Sequence, residues 1–499
     1  MPEHDVAALE EVPQGLSKAE AGDRAVLLVR EGDAVRAFTH ACPHLGLPLS
    51  KGVLRDGVVI CAFHHACFDA ATGAQAEPPG HGDLARFAVA IREGRVVVDV
   101  PEGAPAHVLP EAADATGTDG RRMVIAGAGA AAHAAAHALR EAGFDGAVDV
   151  VSPEEPLDRT MLSKAVLAGA KPLEALALDP SFGARGITRH DDRVAAVEPG
   201  RVRLASGAAL AFDALLVAPG GEPRHLGVEG EGLGGVHVLR DAAHAEAIVA
   251  SATGARQAIV IGGGFIGMEA ALSLHKRGLD VTLATREALP LAKIVGEVVA
   301  RAILAEHAAA GVRHMPEAEA ARFHGEGRVS AVEWKDGTRM EADLVLVAVG
   351  VQPRTAGIEG LPAGEGGGVD VGSDLAVPGL AGVFVAGDCA RAPTPFGAAR
   401  IEHWRVAAQH GRRAALAMLG RDAPGTDIPF FWTALARQYR YVGHAEDWDE
   451  IAIDGEPSGP FLARYVRDGR VVAALGAGRD ADLAALHLAM RKAGGPVPA

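Results

Sequence analysis

The residues best placed to do chemistry lie in two short clusters, Cys42-Pro-His44 and Cys61-Ala-Phe-His64, with sixteen residues between them. Thiolates suit iron bridged by sulfide. Imidazoles can replace two of the thiolates on one iron, which raises the reduction potential above that of an all-cysteine cluster. A structural zinc site accepts the same two Cys and two His. The chain has four cysteines in all, Cys42, Cys61, Cys67 and Cys389. That is too few for a disulfide framework in a chain of this length and enough for one metal site.

Two glycine loops form a second kind of site. Met123-Val-Ile-Ala-Gly127-Ala-Gly129-Ala-Ala-Ala132 and Ala258-Ile-Val-Ile-Gly262-Gly-Gly264-Phe265-Ile266-Gly267-Met-Glu269 each read as a strand, a tight turn and a helix. Small residues there let backbone approach a pyrophosphate at the helix N-terminus. The first loop is a GxGxxA and weak alone. A complete GxGxxG about one domain later makes the pair far more specific. His133 and His137 follow the first loop at i, i+4, a spacing metals use, on the alanine-rich helical stretch behind the loop.

These groups need elements to hold them. Residues 1–102 read as short strands with turns at Asp56-Gly57 and Glu93-Gly94, an all-β unit. Residues 103–120 are rich in Pro, Ala and Gly without periodicity and read as a linker. From Arg121, apolar strands alternate with alanine-rich helical stretches, which predicts parallel α/β sheets, and the pattern occurs twice. A small α+β tail follows, with Phe430-Phe-Trp432-Thr, two strands joined at Asp468-Gly469 and a last helix near 480–492.

The length of 499 residues predicts two to four domains. A net charge of −16 argues against binding a phosphate backbone, though not against a local basic patch for an acidic partner. The N-terminus lacks the basic and apolar segments of a signal peptide, and no apolar run is long enough to span a bilayer. A soluble cytoplasmic protein, monomer or homodimer, is expected, with no nucleic acid or membrane partner.

Leu45-Gly46 after the first Cys/His pair, and Phe68-Asp69, Thr72-Gly73 and Pro78-Pro79 after the second, make residues 5–102 resemble the Rieske ferredoxin family rather than a zinc site. The resemblance implies a 2Fe-2S cluster on Cys42, His44, Cys61 and His64. High-potential members carry a disulfide across the two cluster loops. Leu47 and Phe63 occupy those positions here, so the resemblance is to the lower-potential branch. His65 stands where the family has Gly, and Cys67 where it often has a basic residue; both flank the cluster, to tune it or only to pack.

Leu215-Leu-Val-Ala218-Pro-Gly220, Val345-Leu-Val-Ala-Val-Gly350 and Val383-Phe-Val-Ala-Gly-Asp388 complete a likeness, over about 121–422, to flavoproteins with two dinucleotide-binding domains. Leu157-Asp-Arg159-Thr-Met-Leu-Ser-Lys164 resembles the Arg-Pro-x-Leu-Ser-Lys segment of oxygenase-coupled ferredoxin reductases and apoptosis-inducing-factor-like flavoproteins, with Thr160 in place of Pro. The implied fold is multidomain: an all-β Rieske domain (1–102), a linker, and two α/β Rossmann-like domains for FAD (121–239 and 361–422) and NAD(P)H (240–360). A small α+β domain (423–499) closes the chain.

The resemblance implies cofactor contacts from Gly127, Gly129, Ala132, Arg159, Lys164, Val194, Ala218, Gly220, Gly262, Gly264, Phe265, Ile266, Gly267, Gly350 and Asp388. Trp404 and Trp432 would lie near the isoalloxazine, although Trp432 reads equally as core. Glu154 or Glu155 would bind the FAD ribose. Lys164, paired with Glu269, would sit beside the flavin as the catalytic pair. Arg286, where NADH enzymes place an acid, suits a 2′-phosphate and favours NADPH; it can equally stack on adenine and permit either nucleotide. No redox cysteine pair lies near 155–170, which sets the chain apart from disulfide reductases. Cys389 reads as a packed residue.

The function expected is an FAD-dependent NAD(P)H oxidoreductase of the ferredoxin reductase type. It would pass electrons through FAD to the fused Rieske cluster and on to an acceptor protein: an oxygenase, a ferredoxin or a cytochrome. Two alternatives stand beside it. In one, the reductase serves a separate ferredoxin, an oxygenase component or oxygen while the Rieske unit senses redox state. In the other, the chain is a redox-gated interaction protein.

Overall fold

A computed structural model describes residues 3–178, 180–423 and 427–499. Residues 1–2, the start of the expected first domain, and 424–426, within the expected last one, lie outside the described residues.

The N-terminal unit holds strands β1 (Glu3–Ala8), β2 (Gly15–Ala21), β3 (Arg24–Glu31), β4 (Ala34–Thr39), β5 (Val53–Arg55), β6 (Val58–Ile60), β7 (Cys67–Asp69), β8 (Gln75–Glu77), β9 (Arg86–Arg92) and β10 (Arg95–Asp99). They form a six-stranded sheet in the order β1-β10-β9-β4-β3-β2 and a four-stranded sheet β5-β6-β7-β8. Leu27, Val29 and Phe38 of the first sheet share a core with Val59 and Phe68 of the second. The turn dipeptides behave as their chemistry dictates. Asp56-Gly57 has φ of 49° and 72°, and Glu93-Gly94 has 49° and 74°, the paired positive values of a type I′ hairpin. No helix or strand is assigned between Asp99 and Arg122.

The second unit is a five-stranded parallel sheet of β11 (Arg122–Ala126), β12 (Ala147–Val151), β13 (Thr188–His190), β14 (Ala214–Val217) and, from much later in the chain, Val383–Val385. Helix α1 (Ala130–Glu141) follows β11 directly. The third unit repeats the plan with β15 (Val236–Val238), β16 (Gln257–Ile261), helix α2 (Phe265–Lys276), β17 (Asp280–Ala284), β18 (Arg313–Met315) and β19 (Leu344–Val347), in the sheet order β15-β19-β16-β17-β18. The strand Val383–Val385, now β20, returns to the edge of the earlier sheet, so the third unit is inserted in the second. Helix α3 (Trp404–Met418) then packs on α1.

The tail is an antiparallel sheet of β21 (Phe430–Ala434), β22 (Gln438–Gly443), β23 (Glu450–Gly455), β24 (Phe461–Arg467) and β25 (Arg470–Ala477), covered by helix α4 (Asp480–Ala493). Tyr439, Phe461 and Tyr465 of this sheet share one core with Leu272, Val281 and Leu346 of the third unit. Ala484 of α4 packs with Ile60 and Cys67 of the N-terminal unit, so the tail joins both. Among the described residues no helix is long and apolar enough to cross a membrane.

Candidate functional site

The four predicted metal ligands converge. Cys42 and His44 lie in the loop after β4, and Cys61 and His64 in the loop between β6 and β7. Both loops have one backbone plan. The cysteine N–H donates to the carbonyl five residues on, at 2.9 Å from Leu47 O and from Ala66 O, and the cysteine carbonyl accepts from the fourth residue on, at 2.9 Å from Gly46 N and 3.1 Å from His65 N. The two histidine rings meet edge-on with Nδ1 atoms 3.1 Å apart.

Hydrogen bonding to the Cys61 sulfur, then burial, pushes the Cys42 thiol well up. The same hydrogen bond, with amides of Phe63 and His64 working against burial, holds Cys61 down at about 7. Burial, and then His44, keeps the His64 imidazole well below its usual range and therefore neutral. Two sulfurs beside one another and two imidazole Nδ1 atoms 3.1 Å apart fit a cluster with thiolates on one iron and imidazoles on the other. The four cysteines are free thiols, and Cys389 is buried with its Sγ 3.1 Å from Gly220 O.

Residues of both glycine loops line a cavity of about 1130 Å³. Its walls include Gly127, Gly129, Glu154, Arg159, Lys164, Val194, Ala218, Gly220, Gly264, Phe265, Ile266, Glu269, Gly350, Asp388, Trp404 and Trp432. Gly127 and Gly262 show why small residues are needed at the loop turns. Their φ values are 114° and 122°, and an added Cβ would stand 2.2 Å from Ala218 O and 2.3 Å from Ala348 O. Ala132, Gly262 and Gly267 are not in the cavity wall; they lie at the packing of helix against strand. Arg286 is exposed beyond the end of β17, also outside the wall. Glu154 faces the cavity and holds Arg159 at 2.8 Å, whereas Glu155 is largely exposed and pairs with Arg189.

Lys164 Nζ lies 2.9 Å from Glu269 and donates to Thr160 O at 2.7 Å. Ser163 and Thr433 hydroxyls donate to the two oxygens of Glu269, each at 2.6 Å, so the buried carboxylate is fully engaged. Asp388 accepts from Arg240 at 2.6 Å. His133 and His137, the i, i+4 pair, are buried behind the loop, and His133 Nε2 is 3.0 Å from Pro180 O.

Trp432 links the two sites. It lines the cavity, and its ring centroid is 4.8 Å from that of His64 and 5.9 Å from that of His44. The other side of His44 meets Asp158, with Nε2 and Oδ2 3.4 Å apart and both side chains almost wholly enclosed. Thr160 explains its own departure from the usual Pro: both its N–H and its hydroxyl donate to Asp158 Oδ1, at 2.9 and 2.6 Å. Burial pushes the Asp158 carboxyl up, but His44 and Thr160 outweigh it and hold it down at about 2.

A model of the pyridine nucleotide-disulphide oxidoreductase family matches residues 121–411, and a Rieske 2Fe-2S domain model matches residues 3–88. The chain belongs to that oxidoreductase family. It is 31% identical over 483 residues to apoptosis-inducing factor 3 of Homo sapiens, covering 92% of this chain and 78% of the relative. It is 34% identical to the ferredoxin–NAD(+) reductase component of the biphenyl dioxygenase system of Paraburkholderia xenovorans, over 70% of this chain and 88% of that one. Among solved structures, the covalent putidaredoxin reductase–putidaredoxin complex superimposes with a TM-score of 0.70 at 28% identity, covering 76% of this chain and 94% of that one. The protein is therefore an NAD(P)H oxidoreductase of the ferredoxin reductase type with an all-β Rieske domain ahead of it. The Rieske domain implies a 2Fe-2S cluster and the reductase family implies FAD and NAD(P)H.

Several residues at the junction carry no local sequence signal. Glu77 of β8 accepts from Gln409 at 2.8 Å and lies 3.3 Å from Arg405 and 3.5 Å from Arg491, while Arg405 donates to Pro78 O. Asp158 had a cue, since it directly precedes the Arg159–Lys164 motif. Glu77, Arg405 and Arg440 had none.

Proposed function

We propose that electrons enter from NAD(P)H at the flavin cavity and leave through the Rieske cluster of the same chain to an acceptor protein. The observation that carries this reading is Trp432, whose ring forms cavity wall on one side and packs against both cluster histidines on the other. FAD, when bound, takes electrons in pairs and gives them up singly, which suits a one-electron cluster. The protein's task is then to position these groups and to hold charge.

Gly127 and Gly129 admit the FAD pyrophosphate at the start of α1, and Glu154 accepts from the ribose. Lys164, anchored by Glu269, presents a fixed cation at the flavin edge, where negative charge grows on reduction. Ser163 and Thr433 hold the Glu269 carboxylate in one orientation, which fixes the position of the cation. Asp388, held by Arg240, faces the cavity where the FAD chain would lie. Gly264, Phe265, Ile266 and Gly350 receive the nicotinamide nucleotide, and Arg286 favours NADPH.

The assignment divides the chain at 1–102 for the cluster, 121–239 with 361–422 for FAD, 240–360 for nicotinamide and 423–499 for the tail. Tethering the cluster to its reductase replaces diffusion with a high effective concentration.

Anaerobic titration with NADPH and then NADH, followed by visible absorbance and low-temperature EPR, tests the reading. Flavin bleaching with a rhombic cluster signal is expected, NADPH acting at lower concentration. Flavin bleaching beside a loaded cluster that stays oxidised overturns it.

A further inference from the structure

Arg440 belongs to β22 in the tail, yet its guanidinium is buried against a cluster loop 377 residues away, with Nε 3.3 Å from Phe63 O. The same guanidinium is held by Asp480 at 3.0 Å and by Gln438 at 2.6 Å. Phe63 lies between the two ligands Cys61 and His64. Its carbonyl belongs to the same planar peptide unit as the His64 N–H. The Arg440 cation is therefore fixed on the peptide that leads into a cluster ligand. The enclosed site leaves little water to screen that charge. Asp480 meets Nη1 and the Phe63 carbonyl meets Nε, so the carboxylate and the loop engage different nitrogens of the guanidinium.

We propose that Arg440 is a positioning residue that raises the reduction potential of the Rieske cluster, its buried cation held against the cluster loop at the Phe63 carbonyl. The reduced cluster carries one more negative charge than the oxidised one. A nearby buried cation favours it, since net charge around the cluster is one of the terms that set the potential of such clusters. The reductase part of the chain thus tunes the acceptor it feeds. The proposal rests on Cys42, His44, Cys61 and His64 holding the cluster, and it is independent of the direction of electron flow.

The test is a dye-equilibrated redox titration of the full-length protein carrying both FAD and the cluster, with the cluster read by EPR and the flavin by absorbance. Arg440→Gln is expected to raise the oxidised-to-reduced ratio of the cluster about tenfold at a fixed potential, a downward midpoint shift of about 59 mV for a one-electron centre. Arg440→Lys, which keeps the charge, is expected to recover part of it. Asp480→Asn, which removes the counter-charge, is expected to shift the midpoint upward. The flavin midpoint serves as an internal reference that stays in place. An unchanged cluster midpoint in Arg440→Gln, or shifts of the same sign in Arg440→Gln and Asp480→Asn, overturns the proposal. If Arg440→Gln fails to load a cluster, the sign of the Asp480→Asn shift decides alone. Absence of any rhombic signal in the unsubstituted protein would instead sink the cluster assignment on which the proposal rests.

Discussion

The two cluster loops have the same backbone and different surroundings. Both turn back through a residue with positive φ four positions after the cysteine, which is Gly46 at 71° in the first loop and His65 at 60° in the second. Gly46 adopts that conformation freely and touches nothing there that a Cβ would meet. His65 pays a steric cost, which non-glycine residues bear only where surrounding contacts over-determine them. Those contacts come from the tail: its ring stacks on Phe430 at 4.1 Å and lies 2.9 Å from His487 on α4. The first loop instead reaches the FAD-side unit, through His44 and Asp158. One loop therefore meets a carboxylate and the other a guanidinium and an imidazole. The contrast teaches that a common ligand loop is adapted to a fused reductase by the residues beside the ligands rather than by the ligands.

The largest effect that can test this contrast is on the cluster itself. Cys42→Ala and Cys61→Ala are each expected to abolish the EPR signal completely while leaving flavin absorbance intact, because neither loop alone offers enough donors. A residual rhombic signal in either variant would break the equivalence of the loops.

Acid separates the loop contacts from the helices behind them. Burial leads the depression of His137 and of His410, each to about 3, and each is 6% exposed. Their folded values lie below the unfolded value of about 6.5, so the unfolded chain binds more protons as pH falls. Their contribution is intact above pH 6.5 and is lost on the way down towards 3. Between pH 6 and 4 the two together are expected to cost about 3 kcal/mol of stability per pH unit. Asp158, near 2, stays ionised over that window. Denaturant melts at stepped pH check the slope, and a flat profile would contradict neutral burial.

Asp158→Asn keeps the shape and removes the charge facing His44. It is expected to lower stability by about 1.5–3 kcal/mol, the usual range for a hydrogen bond involving a charged group, read as a fall in thermal midpoint with the cluster still loaded.

His65→Gly gives the smallest change. Relief of backbone strain, about 1–3 kcal/mol, opposes the loss of the link to His487 and of the stack on Phe430, about 1 kcal/mol each. Nearly unchanged melting is expected, with faster hydrogen exchange at α4. Equal exchange in both proteins would mean that His65 only packs.

Much of this was legible in the chain. Cys42, His44, Cys61 and His64 are recognisable because a cluster fixes ligand types and spacing within two short loops, and Gly127 and Gly262 because a turn against a neighbouring carbonyl excludes a Cβ. The hairpins at Asp56-Gly57, Glu93-Gly94 and Asp468-Gly469 follow from local φ preferences. The choice between Glu154 and Glu155 as a cavity residue was not legible, since adjacent identical side chains differ only in the direction the strand end gives them.

Local chemistry thus determined the cluster loops, the two glycine turns and the Lys164 motif, because each depends on residues near one another in sequence. The tertiary structure alone decided that Trp432 stands between flavin cavity and cluster, that Asp158 meets His44, and that Arg440 caps the Phe63 carbonyl. Those contacts join residues hundreds of positions apart, where a buried charge finds its partner by domain packing and leaves no periodicity or spacing behind.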